Sequence, residues 1–480
     1  MYFKILFRGR ILIGLLFLLF AIVARPQQEV TIMTYNLLKF SENSSDRLPY
    51  FKTILDSLQP DILVVQEIFS QPAINLFHQQ VLNASYAKGD FIDGPDSDNA
   101  LFYKYDRFEF ISNTPIATDL RNISEFKLVF QPNADTLRIY SVHLKASSGS
   151  ANENLRLEEV NLLRASTNIL PVGSNFIVCG DFNIYKSSEP SYQALLADNG
   201  INEGHFIDPI TMTGTWNNPA YAQHHTQSPR ARSFGGGASG GLDDRFDLIL
   251  FSSAISNPGG MDYVAGSTWA VGNDGNHYND SINRPPNARV SQALANALHY
   301  ASDHLPVIAK FTFQPAAATQ TYALEEGWNG ISSYLAPHPA AIGQMVEQLG
   351  DRFVALLNEE GIYFPGGGLY QIENWDSQSG YAIKVNEATP YIVYGTLPGS
   401  PALEISAGWN LLPAPFTSPQ SVESFFGAHL SSIEVVKNAL STHIYWPAMG
   451  IHTLESIKPG DAYWVKSYRS FTLIPGTLFY

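Results

Sequence analysis

Cysteine, basic charge and long apolar runs are all scarce in this 480-residue chain. Cys179 is the only cysteine, so an intramolecular disulfide is impossible and stability must come from packing. It lies in the apolar run 176–179 and is most simply a small buried hydrophobe. Lysine and arginine total 29 against 44 acidic residues, a net charge of −15. Residues 1–27 carry +4, residues 28–314 carry −11 and residues 315–480 carry −8. The strongly basic footprint of a nucleic-acid binder is therefore missing. That counts against a nuclease without excluding one, because bound cations offset acidic ligands. Beyond residue 24 no segment reaches the roughly 20 apolar residues of a membrane-spanning helix, and no stable span is expected.

The start of the chain is different. Lys4, Arg8 and Arg10 precede an apolar run from Ile11 to Val23 that ends at Ala24. Residues 1–24 fit an export signal, which implies a secreted, cell-surface or periplasmic protein, with a retained anchor as the alternative. The length implies two or more domains. Strands are expected at 29–35, 61–65, 100–103, 108–111, 125–130, 136–144, 175–179, 246–251 and 307–313. Helices are expected at 47–58, 152–170 and near 189–198. Hairpins mixed with helices suggest an α/β architecture of two packed mixed sheets flanked by helices. A glycine-rich loop at 228–242 and a long insertion at 253–300 show little regular pattern.

Six polar signals sit at or near the ends of these strand-like segments: Asn36, Glu67, His143, Asp181 with Asn183, Asp247, and Ser302-Asp303-His304. Carboxylates, amides and imidazoles in series suit a hard divalent cation together with acid–base chemistry. Glu67, at a strand exit, can bind Mg²⁺ directly. Asn36 offers an amide oxygen and Asp303 a second carboxylate. Asp181 and Asn183, two residues apart, can orient a water or a phosphate oxygen. His304 is a candidate general base or electrostatic clamp, with Asp247 fixing its tautomer, and His143 is a second imidazole.

In this order the motifs YN (35–36), QE (66–67), HLK (143–145), GDFN (180–183), RFD (245–247) and SDH (302–304) resemble the endonuclease/exonuclease/phosphatase superfamily over about residues 29–314. The resemblance implies a four-layered α/β sandwich and divalent-metal hydrolysis of a phosphate ester. Glu67, Asn36 and Asp303 would hold Mg²⁺, with Mn²⁺ or Ca²⁺ as alternatives. Asp181 and Asn183 would position water and phosphate. His304 with Asp247 would contact the scissile phosphate or activate the nucleophile, and His143 would serve beside them. Arg156, where many members carry a basic residue, would contact phosphate or be a surface helix charge. RFD departs mildly from the commoner R-[IL]-D and keeps the aspartate.

Residues 315–321 are expected to form a linker to a duplicated region, 322–402 and 403–480. Gly327-Trp328-Asn329 recurs as Gly408-Trp409-Asn410, and Tyr363-Phe364-Pro365 as Tyr445-Trp446-Pro447. These elements are expected to be core and turn residues. The pair resembles a GWN-type repeat found behind secreted Bacteroidetes proteins, which implies a contact with the cell surface or sorting machinery. The leading expectation is a secreted nuclease acting on extracellular DNA or RNA. A phospholipid or sphingomyelin phosphodiesterase, a phosphomonoesterase, and a non-catalytic surface-binding protein are the alternatives. Asp274, Asn276, His277, Asn279 and Asp280 form an oxygen-rich stretch expected to be either a solvated loop or a Ca²⁺ site.

Overall fold

The computed structural model describes residues 28–474 apart from 132–134, 172, 257–259, 314–317 and 397–401. The expected leader at 1–24 and the linker residues 315–317 lie outside the described residues. The first domain contains β1 (Gln28–Phe40), α1 (Leu48–Leu58), β2 (Ile62–Ile68), α2 (Gln71–Gln80), β3 (Tyr86–Lys88), β4 (Asp98–Lys104), β5 (Phe108–Ile116), β6 (Ile123–Phe130) and β7 (Asp135–His143). It continues with α3 (Ser150–Thr167), β8 (Asn175–Asp181), α4 (Pro190–Leu196), β9 (Phe206–Ile207), β10 (Asp247–Ser252), α5 (Ser253–Ser256), β11 (Met261–Tyr263), β12 (Trp269–Ala270), α6 (Gln292–Ala301) and β13 (Val307–Phe313).

One sheet runs β11-β13-β1-β2-β4-β3, with β12 also on β13; the other runs β5-β6-β7-β8-β10-β9. Ile32, Val64 and Phe311 from the first sheet meet Phe126, Ile139, Ile177 and Ile249 from the second in one core. Each such fully buried side chain contributes about 1.5–3 kcal/mol. The outer face of the first sheet packs Phe51 of α1, Phe77 of α2 and Leu298 of α6. That of the second packs Val160 and Leu163 of α3 and Leu195 of α4. The result is the expected four-layered α/β sandwich. Central strands are buried on both faces, which is why β2 and β8 read as nearly continuous apolar runs.

The insertion at 253–300 is more regular than its sequence suggests. β11 and β12 extend the first sheet along β13. α6 is capped by Ser291, whose hydroxyl accepts from the Leu294 amide. α2 is a helix not anticipated from sequence, capped in the same way by Ser70 on the Ala73 amide.

The C-terminal region contains two five-stranded sheets of identical order. Gly327–Ile331, Tyr381–Val385, Phe353–Leu357, Ile362–Phe364 and Leu369–Tyr370 correspond to Gly408–Pro413, Ala462–Ser467, Ile433–Asn438, Ile444–Trp446 and Ile451–His452. Residues 318–321, assigned to the linker, instead begin the strand Ala318–Leu324, which pairs with Thr389–Thr396. The GWN motif is a turn device. Gly327 and Gly408 take φ of 98° and 103°, which favour glycine. Asn329 accepts from the Glu325 amide and donates back to its carbonyl, and Asn410 does the same with Ser406. Trp328 and Trp409 are 41% and 52% exposed, so the tryptophans are surface rather than core residues. The first repeat docks on the sandwich through an ion pair of Arg138 with Glu347 (2.8 Å) and the Gln344 side chain on the Gly173 carbonyl.

Candidate functional site

Strand register brings the polar strand ends to one rim. β1 and β2 are parallel, pairing Asn36 with Gln66 beside Glu67. β7 and β8 are parallel and place His143 opposite Asp181; β10 is antiparallel and places Asp247 opposite Asp181. β13 runs antiparallel to β1 and starts three residues after His304, so His304 enters at the same end.

Asp181 Oδ2 is the hub. Asn36 Nδ2 donates to it at 3.1 Å and to Glu67 Oε1 at 3.1 Å. His143 Nε2 lies 3.6 Å from Asp181 Oδ2 and 3.8 Å from Glu67 Oε1, and His304 Nε2 lies 3.6 Å from Asp181 Oδ2. His304 Nδ1 meets Asp247 Oδ2 at 2.7 Å. Asp181 Oδ1 accepts from the Asn183 amide at 3.1 Å, and Asn183 Nδ2 donates to the Leu144 carbonyl. Glu67 and Asn183 adopt φ of 57° and 52°, left-handed values that ordinary side chains seldom take. Such outliers cluster where a structure holds side chains for function.

The electrostatics divide the two imidazoles. Burial, with Arg121 and His304 nearby, holds His143 well below the ordinary imidazole range. It is therefore neutral, and because its Nδ1 is buried without a partner, the proton belongs on Nε2, facing the carboxylates. Burial also opposes charge on His304, but Asp247 and Asp181 outweigh it and raise His304 well above that range. Burial raises Asp181 to about 7, with Asp247 and Glu67 adding to the rise while His304 and Asn36 oppose it. Titratable neighbours pushed in opposite directions are the signature of divided acid–base roles.

Two expected positions are held by partners that the sequence did not point to. Arg156 is fully buried, its Nε on Glu189 at 2.5 Å and its Nη1 on the Lys145 and Ser147 carbonyls. It braces the turns after His143 and Asn183, while its Nη2 is buried without a hydrogen-bond partner. Asn36 turns its amide nitrogen toward Glu67 and Asp181, while its oxygen accepts from the Leu38 amide. Asp303 lies under the glycine-rich loop. The Ala238 amide donates to its Oδ2 at 2.5 Å, and a Cβ at Gly237 would stand 2.5 Å from that same oxygen.

Gln227 is the residue that sequence missed. Its side-chain amide sits 2.6 Å from His304 Nε2. A cationic imidazole carries a proton on that nitrogen, so the amide must present its oxygen. Thr226 supports the same unit, its hydroxyl accepting from the Asp247 amide at 3.1 Å and its carbonyl from Leu305. Neither residue lies in a strand, and a lone glutamine in an irregular loop carries no sequence pattern.

Among the described residues, no group of three or more His, Cys, Asp or Glu side chains is disposed to hold a metal ion. The oxygens nevertheless suit a hard cation: Glu67 offers a carboxylate, and Asp303 Oδ1 is buried without a hydrogen-bond partner. The 274–280 stretch does not. Asp274 accepts from His277, Asn276 and Ala288, and Asp280 pairs with Arg284, so these carboxylates close the loop on itself.

The Endonuclease/Exonuclease/phosphatase family matches residues 33–304. No curated protein matches the chain. Among solved structures, D. rerio TDP2 complexed with single strand DNA product is similar at 15% identity and a TM-score of 0.41, over 59% of this chain and 98% of that one. The Bacteroides thetaiotaomicron mannosyl-6-phosphatase Bt3783 is similar at 18% identity and a TM-score of 0.39, over 59% of this chain and 100% of that one. An endonuclease/exonuclease/phosphatase protein from Bacteroides vulgatus is similar at 16% identity and a TM-score of 0.39, over 60% and 99%.

Proposed function

This chain belongs to the Endonuclease/Exonuclease/phosphatase family, and from that premise we propose that it is a divalent-metal-dependent phosphodiester hydrolase acting on single-stranded DNA or RNA. The observation that carries the reading is the convergence of Asn36, His143 and His304 on Asp181 Oδ2. Asp181, whose carboxyl burial raises above the ordinary carboxylate range, accepts the proton of an attacking water and orients it through Oδ2 once the Asn36 amide rotates away. His304, kept cationic by Asp247, donates from Nε2 to a phosphate oxygen once Gln227 yields that position. His143 donates a neutral Nε2–H to a second oxygen. Glu67 and Asp303, with Asn36 after an amide rotation, would hold the cation. A bound Mg²⁺ supplies charge neutralisation at the phosphate and at the departing oxygen.

Support for a single strand comes from the rim. Phe69, two residues beyond Glu67, is 37% exposed, and Phe234, three before Gly237, is 49% exposed. Exposed aromatics on segments flanking a phosphate site suit unstacked bases, and stacking needs no basic groove of the kind this acidic chain lacks. Export, expected from residues 1–24, belongs to the same proposal and is checked by fractionating a culture.

The deciding experiment is a substrate panel with and without chelator: single-stranded and duplex DNA, RNA, a choline-phosphate lipid and a sugar monophosphate. Chelator-sensitive cleavage of single strands ahead of the other substrates is expected. Turnover of lipid or sugar phosphate without nucleic acid cleavage would overturn the substrate assignment.

A further inference from the structure

A second cleft lies between the open edges of the two sheets, where β12 and the turn before it approach the segment after β9. It encloses about 690 Å³, and none of the catalytic cluster lines it. Its charged and titratable lining is Arg289, Lys310 and His224, beside Tyr263, Trp269 and Thr211. The lining contains no aspartate or glutamate, although acidic residues outnumber basic ones by 44 to 29 in the whole chain.

The cations differ in what they are committed to. Lys310 Nζ is 2.7 Å from Glu29. Arg289 is exposed and, among the described residues, has no carboxylate partner; its guanidinium lies 5.2 Å from the centroid of the Trp269 ring. An indole face pre-orients a guanidinium and leaves its N–H edge free to donate. His224 closes the opposite wall, and its pKa is lowered to about 4 by burial first and then by Arg245, His225 and Arg289, with Asp208 opposing. The volume is in the range of small-molecule sites and exceeds what an inorganic anion fills.

We propose that this cleft is a second, non-catalytic binding site for a small phosphate monoester, with Arg289 as its principal anchor. A carboxylate offers two oxygens, whereas a phosphate monoester offers three terminal oxygens and can meet Arg289 and Lys310 together. The organic part occupies the remaining volume along Tyr263 and Trp269. The proposal is independent of the catalytic assignment, since it requires binding only.

The test uses the full chain, with 5′-dAMP and inorganic phosphate as probes and the Trp269 indole N–H as the NMR reporter, assigned through Trp269→Phe. Saturable 5′-dAMP binding that shifts this signal is expected. Arg289→Ala should weaken it about tenfold or more, the scale of a lost charged hydrogen bond. Lys310→Ala should weaken it less, because Lys310 already has a partner. Arg289→Glu should abolish it, and both Arg289 variants should retain the wild-type melting temperature and hydrolytic rate. Binding that persists in His304→Ala supports a separate cleft. Inorganic phosphate that moves the same signal more weakly supports recognition through the phosphate. The proposal is overturned if Arg289→Ala binds with unchanged affinity, if His304→Ala loses the signal, or if only an oligonucleotide shifts it.

Discussion

Asparagine at a strand boundary serves opposite ends in the two halves of this molecule. In the repeats, Asn329 and Asn410 spend their side chains on a backbone amide and carbonyl four residues back, and the left-handed positions beside them are glycines. In the sandwich, Asn36 points at two carboxylates, and left-handed positions there include the non-glycine residues Leu38, Lys39, Glu67 and Asn183. There Asp247 Oδ1, Asp303 Oδ1 and His143 Nδ1 are buried without partners. Asn329 and Asn410 satisfy the polar groups of their turns. The sandwich leaves polar groups unsatisfied and strained, which lowers stability where a substrate and a cation can repay the deficit.

That contrast predicts where mutations separate activity from stability. His304→Ala should lower kcat/KM by about a thousandfold, within the range for a lost acid–base or charge-stabilising group, while the melting temperature stays level or rises. Loss of the fold with loss of activity would remove the distinction between the halves. Asp247→Asn should act through His304. Because Asp247 and Asp181 raise the His304 pKa against burial, activity that requires the cation is present below that pKa and lost above it. Removing the Asp247 charge therefore moves the alkaline limb of the pH–rate profile to lower pH, and an unmoved limb would detach His304 from the rate.

Asn410→Ala should do the reverse. It orphans the Ser406 amide and carbonyl and should cost about 1–3 kcal/mol in the repeat, measured by denaturant melts, with hydrolysis unchanged. The smallest effect is expected at Asp98, a strand-end carboxylate outside the cluster. Burial raises its pKa to about 6, opposed by the Gly94 amide. A carboxyl raised on folding favours the folded state when protonated, so its contribution fades as pH climbs from the ordinary value toward 6. Asp98→Asn should therefore stabilise the neutral-pH protein by about 1 kcal/mol after allowance for solvent screening, with no gain below pH 4.

The layered fold was legible because central strands are apolar on both faces and carry a charged residue at or next to their end, as β2 does at Glu67 and β8 at Asp181. The same rule found His143, Asp247 and His304, since period-two strands of matched register must deliver their ends to one rim. It failed where a residue's role depends on a partner remote in sequence. The reading of Arg156 as a surface helix charge failed because Glu189, 33 residues on, could not be paired with it beforehand. Gln227 reaches His304 across 77 residues from an irregular loop. The helix at Gln292–Ala301 was readable in retrospect from Ser291 and the buried spacing of Ala295, Leu298 and Ala301, but the polar residues ahead of it masked the period. In the repeats the duplication was legible, whereas the exposure of Trp328 and Trp409 was not, because the motif's physical basis lies in its glycine and asparagine.

The most direct test of a single centre is a double-mutant cycle on Asp181→Asn and His304→Ala, with kcat/KM measured for the wild type, both single variants and the double variant on the preferred diester. Groups acting on one phosphate fail together, so the double variant should be no more than a few-fold worse than the poorer single variant. Losses that multiply in full would mean that Asp181 and His304 work independently, and the account of one convergent site would be wrong.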